Sequence, residues 1–397
     1  MKRSTERILT THTGSLPRPR PMLDLLLKQQ RGQLEDETLL HQSVRDAVAD
    51  TVSRQLECGL DVINDGEMGR VDYTVFVKDL LTGFEGESTP PIGAGDEEFP
   101  ELGELLKPFA SPFQVRPACV GPVDWKDWPS FQRDLYNLAV ALRQAQDDRD
   151  GDSVCEEVFM TSPSPGQIAR FLHNHHYPDD EAYLYALGDV MKRAYEAIVN
   201  AGFLLQLDCP DLALSRSTVF AHLTLEEFRS VIRMHVEALN HAVAGIPAER
   251  MRMHVCWSST MGPHHTDVPL RDIVDIVLEA KPAAFSFPAA NPRHGHEWKI
   301  WRDVKLPEGK TVIPGMIDST SNFVEHPEYV AERIVRYAGV VGRENLLVGA
   351  DCGFGTFAGR LQVDSKIVWM KLASLVEGAR LASQELWQSR QHRSEAD

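Results

Sequence analysis

Along the chain, short blocks of consecutive apolar residues alternate with longer stretches in which apolar residues recur every three or four positions. The first pattern reads as buried strand and the second as amphipathic helix. Strand-like blocks fall at 8–15, 60–64, 118–123, 154–160, 203–208, 251–257, 284–287, 311–318 and 346–350. Helical spacing covers 35–56, where Leu39, Leu40, Val44, Val48, Val52 and Leu56 share a face, and returns at 131–144, 179–201, 225–244, 270–280, 327–341 and 365–381. Gly59 and Gly202 stand where two of these helices stop. The alternation predicts parallel βα units. Eight units, with 154–160 as an extra strand-like piece, predict an α/β protein of the (β/α)8 TIM-barrel class with insertions in its βα loops. No Gly-X-Gly-X-X-Gly loop follows the first strand, which argues against an open dinucleotide-binding sheet.

The expected organisation is a single barrel over 1–382 and a polar tail over 383–397. Insertions are expected at about 77–113 and 145–178. Within the first, 81–113 is rich in Pro and Gly and carries the acidic run Asp96-Glu97-Glu98, as a solvated loop does. The chain has 397 residues, 43% of them hydrophobic, enough for a barrel with insertions. A net charge of −17 argues against nucleic acid or an anionic membrane as partner. No apolar run is long enough to span a bilayer, and Met1-Lys2-Arg3-Ser4-Thr5-Glu6-Arg7 has no apolar signal core behind it. Six scattered cysteines do not form a disulfide framework. A reduced, cytoplasmic protein is expected.

In a barrel the chemistry sits where strands end. The polar residues at those ends are Ser15, Asp65, Glu67, Asp208, His254, Cys256, Asp318, Asp351 and Cys352. Any one of them alone can be a capping or turn residue. His254 and Cys256 are two apart in a β-prone run, so they face the same side of a strand. With Cys352 they supply one imidazole and two thiols, a donor set suited to Zn²⁺ with a fourth position open. The His-rich stretch His173-Asn174-His175-His176 lies between helices without a thiol or carboxylate at ligand spacing, and is not expected to bind metal.

From about Leu9 to Arg360 the chain resembles the cobalamin-independent methionine synthase superfamily, which also includes zinc-dependent epoxyalkane:coenzyme M transferases. The resemblance is carried by Thr10-Thr11-His12-Thr13-Gly14-Ser15-Leu16-Pro17-Arg18-Pro19, Asp65-Gly66-Glu67, Leu205-Gln206-Leu207-Asp208-Cys209-Pro210-Asp211-Leu212, His254-Val255-Cys256, Asn291-Pro292-Arg293-His294 and Asp351-Cys352-Gly353. It is strongest toward the shorter single-barrel members.

The resemblance implies a zinc-dependent S-methyl- or S-alkyltransferase. Zn²⁺ would be held by His254, Cys256 and Cys352. Glu67 would read the amino group of a thiol substrate such as homocysteine, Ser15 would touch its carboxylate, and Asp208 would serve both binding and reaction. Asp318 is a second candidate catalytic carboxylate. The partners implied are a small thiol and a methyl or alkyl donor, with 5-methyltetrahydrofolate one candidate donor and coenzyme M an alternative thiol. A non-catalytic metal- or thiol-binding barrel is the remaining alternative. Two departures stand out. Pro288 occupies the place expected for the family's fourth zinc ligand, a glutamate. The turn Asp318-Ser319-Thr320-Ser321-Asn322 lacks the histidine that helps protonate a folate leaving group.

Overall fold

The computed structural model describes residues 1–88, 98–106, 116–148, 154–360 and 362–388. Ten strands run in chain order: β1 (Leu9–Thr10), β2 (Val62–Ile63), β3 (Phe84–Ser88), β4 (Arg116–Cys119), β5 (Glu157–Pro163), β6 (Leu204–Asp208), β7 (Met251–His254), β8 (Ala284–Phe287), β9 (Thr311–Ile317) and β10 (Leu347–Ala350). Eight of them form one parallel sheet in the order β1-β10-β9-β8-β7-β6-β5-β2. Its two ends meet: the Asp61 amide donates to the Thr10 carbonyl at 3.2 Å, and Thr11 Oγ1 donates to the Val62 carbonyl at 2.9 Å. The Asp61 carboxylate also accepts from the amide and hydroxyl of Thr10. The result is a (β/α)8 barrel, as the alternation predicts. Among the described residues, no helix is long and apolar enough to cross a membrane.

One strand assignment is corrected. Residues 157–163 are the third barrel strand, whereas 116–119 pair antiparallel with 84–88 in a two-stranded sheet outside the barrel. The blocks at 118–123 and 154–160 share the same local signature, and only their pairing partners tell them apart. The loop expected over 81–113 therefore contains β3 and a short helix, Pro100–Leu106; residues 89–97 and 107–113, including Asp96 and Glu97, lie outside the described residues. A helix at Arg20–Gln30 adds to those read from the pattern, and the last helix runs on from Ser365 to Gln388.

The helices follow from local chemistry. Asp36, Asp127 and Asp179 accept hydrogen bonds from backbone amides at the first turns of their helices, and Thr224 and Glu227 form a reciprocal capping box. Gly59, at φ 82°, ends the helix Glu37–Cys58 in the left-handed conformation that glycine adopts most easily.

Side chains alternate inside and outside the barrel wall. Along β6, Leu205 and Leu207 join the main core with the helices, whereas Leu204 belongs to a separate cluster with Leu9, Val62, Phe159, Ala284, Ile313 and Leu347. Those residues fill the barrel floor. Above them lie Gln206 and Arg252, neighbours in register on β6 and β7. Arg252 is fully buried, lies 4.0 Å over the Phe159 ring, and donates to Thr11 Oγ1 and the His12 carbonyl. Next upward come Asp208, His254 and Ser286, also in register. The strand period thus carries polarity from an apolar floor to a polar mouth.

At the mouth, Asp351 joins two loops. Its Oδ1 accepts from the amides of Ala289 and Ala290, and its Oδ2 from the amide and side chain of Asn291, all at 2.6–2.8 Å. Gly315 is required beneath it, because a Cβ there would stand 2.0 Å from Asp351 Oδ1. Asp351→Asn retains the size but sets an amide NH₂ against donors. It is expected to cost about 3 kcal/mol of unfolding free energy, since hydrogen bonds to a charged acceptor are each worth roughly 1.5–3 kcal/mol. Urea denaturation measures this; a change below about 0.5 kcal/mol, the range of an inert surface substitution, would contradict the clamp.

Candidate active site and metal centre

A cavity of about 260 Å³ opens at the carboxyl ends of the strands. Ser15, Glu67, Asp208, His254, Cys256 and Cys352 all line it, beside Thr13, so six of the seven residues given a chemical role converge. The seventh, Asp318, is absent from that lining. Its carboxylate accepts from the amide and hydroxyl of Thr320, and its own amide donates to Glu325, which makes it a turn-stabilising residue in this structure.

His254 reaches the cavity from the end of β7, and Cys256 follows two residues later. Cys352 comes from the loop after β10. One ligand atom from each lies within 4.8 Å of the others, and all three residues are buried. The two sulfurs are 3.4 Å apart, yet both thiols are free. Ser286 Oγ is 3.2 Å from His254 Nδ1, which leaves Nε2 buried and without a partner. A histidine held by one nitrogen with the other presented is the arrangement metal ligands take. The Ser258 amide donates to Cys256 Sγ at 3.2 Å. The bond from Cys256, together with burial, raises the Cys352 thiol well above its ordinary range. A soft divalent cation fits this set, because it would remove the thiol protons and satisfy the orphaned nitrogen.

Pro288 has no side-chain donor atom for a metal. β8 ends at Phe287, and the following amides turn toward Asp351. Pro288 is buried and is not among the cavity-lining residues.

Glu67 and Asp208 form the acidic side of the cavity. Asn64 and Asp65 accept from the amides of Gly66 and Glu67, winding the loop after β2 so tightly that both residues have positive φ, 66° and 56°. A non-glycine residue held so costs on the order of 1 kcal/mol, a strain that recurs at functional sites. Glu67 Oε1 accepts from Thr161 Oγ1 at 3.0 Å, and Oε2 is buried without a partner. Gly14 is required opposite, because a Cβ there would stand 2.6 Å from Glu67 Oε1. Burial raises the Glu67 pKa against the pull of Arg70 and Arg18. Burial, then the charge of Glu67, raises Asp208 well above the carboxylate range. Two buried carboxyls side by side retain protons until a cation joins them. Ser15 is held in the loop after β1, where its carbonyl accepts from the Phe354 amide. Gly353 keeps the space beside it, since a Cβ at 353 would fall 2.1 Å from Ser15 Oγ.

Several cavity residues carry no signal in the linear pattern: Tyr73, Arg116, Arg170, Phe171 and Arg360. Arg170 and Phe171 end the short helix that follows β5. Reading 154–160 as an extra strand concealed that this helix stands at the barrel mouth. The histidines at 173–176 do not belong to any metal-like group among the described residues; there the His175 amide and the His173 carbonyl pair with Cys119.

A second polar network supports the loop after Cys256. His264 Nδ1 and His294 Nε2 lie 2.9 and 3.3 Å from Asp267 Oδ2, and His294 Nδ1 lies 3.0 Å from Glu297. Burial pushes His294 down, but the bonds to Asp267 and Glu297 outweigh it and raise its pKa to about 9. Because that value is above the ordinary histidine value of 6.5, the stabilisation is fully present below pH 6.5 and is lost as pH rises through about 9. Stability is expected to fall across this window, and His294→Asn to flatten the fall, as followed by chemical denaturation at stepped pH. The metal centre makes a separate prediction. One equivalent of divalent metal is expected per chain, with Cys256→Ser or Cys352→Ser weakening retention at least tenfold under chelator competition. Unchanged retention in both variants would exclude this centre.

Comparison with known proteins agrees with the geometry. Residues 179–375 match the family model described as cobalamin-independent synthase, catalytic domain. The methionine synthase of Saccharolobus solfataricus is 22% identical over 383 residues, covering 95% of each chain. That of Thermococcus kodakarensis is 23% identical over 382 residues, covering 95% of this chain and 94% of the relative. A B12-independent methionine synthase from Shewanella sp. W3-18-1, solved with selenomethionine, superposes with a TM-score of 0.71 at 18% identity, covering 96% of this chain and 99% of that one. By its matched catalytic domain and by relatives aligned along nearly its whole length, this chain belongs to the cobalamin-independent methionine synthase superfamily and is an enzyme of its transferase class.

Proposed function

We propose that this protein is a zinc-dependent thiol S-methyltransferase that transfers a methyl or related alkyl group to homocysteine or a close analogue. The observation that carries this reading is the buried His254, Cys256 and Cys352 set, with His254 Nε2 unpartnered, in one cavity with Ser15, Glu67 and Asp208. His254, Cys256 and Cys352 would hold Zn²⁺, which supplies a Lewis acid able to lower a substrate thiol from its ordinary pKa of about 8.5.

The remaining work falls to the chain. Glu67 Oε2, buried and without a donor, is suited to accept from the ammonium of an amino-acid thiol. That positive charge would draw the proton off the Glu67–Asp208 pair, so binding the correct substrate sets the ionisation of the site. The Ser15 hydroxyl would donate to the substrate carboxylate. Asp208, fixed by Gln206 Nε2 at 2.8 Å, is suited to steer charge as the S–C bond forms and the donor's bond to carbon breaks. The turn after β9 has no histidine, and Asp318 is engaged with Thr320. A donor whose leaving group needs no strong acid is therefore favoured over 5-methyltetrahydrofolate.

The test is metal content together with turnover of homocysteine against a panel of methyl donors. Glu67→Gln is expected to raise KM for the thiol about tenfold with a smaller effect on kcat, because the lost contact is made equally in ground and transition states. Asp208→Asn is expected to depress kcat and kcat/KM together by about a hundredfold, the loss typical of a transition-state electrostatic contact. A zinc-free protein, or turnover insensitive to both substitutions, would reject the reading.

A further inference from the structure

The cavity has a second pole. Arg116, Arg170 and Arg360 all line it, in a protein whose net charge is −17. They surround three aromatic rings. Tyr73 lies edge-on between Phe171 and Phe357, with ring centroids 5.8 Å from each. The Arg116 and Arg170 guanidinium carbons lie 3.8 and 5.0 Å from the Phe171 ring, and that of Arg360 lies 5.9 Å from the Phe357 ring.

These cations are short of partners. Arg170 is 7% exposed, and its Nε and Nη1 have no hydrogen-bond acceptor; its Nη2 donates to Thr218 Oγ1. The Nε atoms of Arg116 and Arg360 are likewise buried and unpartnered. Among the described residues, no carboxylate lies within ion-pair distance of any of the three. The nearby acids are already engaged: Asp72 accepts from the Thr74 and Val75 amides, and Asp211 from Ser164 Oγ and His235. Burial lowers the pKa of all three arginines. Tyr73 cannot act as the missing anion, because burial raises its phenol. Guanidinium groups present several donors in a fixed fork that matches an oxyanion, and buried donors left without acceptors are costly.

We propose that Arg116, Arg170 and Arg360 form an oxyanion-binding subsite for the second reactant, an organic carboxylate, phosphonate or sulfonate whose apolar body rests on Phe171 and Phe357. The inference rests on reading this cavity as a two-substrate transfer site. The thiol substrate takes the Glu67, Asp208 and Ser15 pole, and the alkyl donor takes the arginine pole, with the His254, Cys256 and Cys352 set lining the same cavity. Charge sorting then orients both reactants. An oxyanion is drawn to the three guanidiniums, which repel an ammonium.

The experiment is calorimetric titration of the zinc-loaded protein with benzoate, phenylphosphonate and neutral benzamide at constant ionic strength. At least one anion is expected to bind saturably and at least tenfold more tightly than benzamide. Arg170→Gln and Arg360→Gln are each expected to weaken it about tenfold, with unchanged melting temperature and zinc content, whereas exposed Arg31→Gln leaves it unaltered. Should either cavity variant fail to fold, the other gives the same readout. Equal affinity for benzamide, or no loss in the arginine variants, overturns the subsite. Displacement of the anion by homocysteine overturns it as well, since the arginines would then read the thiol substrate. Anion binding that persists in a protein unable to bind zinc or homocysteine retains the subsite and rejects the transferase reading instead, so the two failures are distinguishable.

Discussion

The Asp351 carboxylate, buried at the mouth of the barrel, is the interaction on which the site depends. It accepts from three consecutive amides and a side-chain amide, and so fixes the loop after β8 against the end of β10. A buried charge is tolerated only when it is fully hydrogen-bonded, and here both oxygens are used. The next residue is Cys352. The clamp therefore restrains the backbone that carries the Cys352 sulfur to Cys256 and His254, without touching the donor set. The same clamp holds the amides of the loop after Pro288, and residues 288–291 do not line the cavity.

The barrel also spends stability on its function. Glu67 sits in a left-handed backbone conformation with an oxygen unpartnered, Asp208 lies buried beside it, and His254 presents a bare nitrogen. A protein optimised for stability alone would replace such groups with apolar side chains. They persist where preorganised polarity binds a ligand or stabilises a developing charge. The apolar floor of Leu204, Ala284, Ile313 and Leu347, with Arg252 bonded to Thr11 and His12 above it, makes a rigid base for them. The resulting cavity is acidic on one side and basic on the other, which suits a reaction that must hold two different molecules in line.

The convergence of His254, Cys256 and Cys352 with Glu67 and Asp208 was legible in the linear chain for a physical reason. His254 and Cys256 belong to one strand end, where the period of two alone sets their common side. Glu67, Asp208 and Cys352 each follow an apolar run that ends at the mouth. Asp318 satisfied the same rule yet fails to line the cavity, because its carboxylate is used locally by Thr320. A rule based on strand ends cannot tell a side chain that turns inward from one that caps its own loop.

Local periodicity determined the long helices of the barrel, most strands and the barrel class, since a helix or strand repeat is written within a dozen neighbouring residues. Pairing is not written there. The blocks containing Cys119 and Phe159 are both short and apolar, and only the distant partners decide that one pairs outside the barrel with β3 and the other inside with β2 and β6. The arginine pole follows the same logic: Arg116, Arg170 and Arg360 come from segments up to 244 residues apart and share no motif. Tertiary structure alone brought their charges together, because Coulomb and hydrogen-bond energies depend on distance in space and not along the chain.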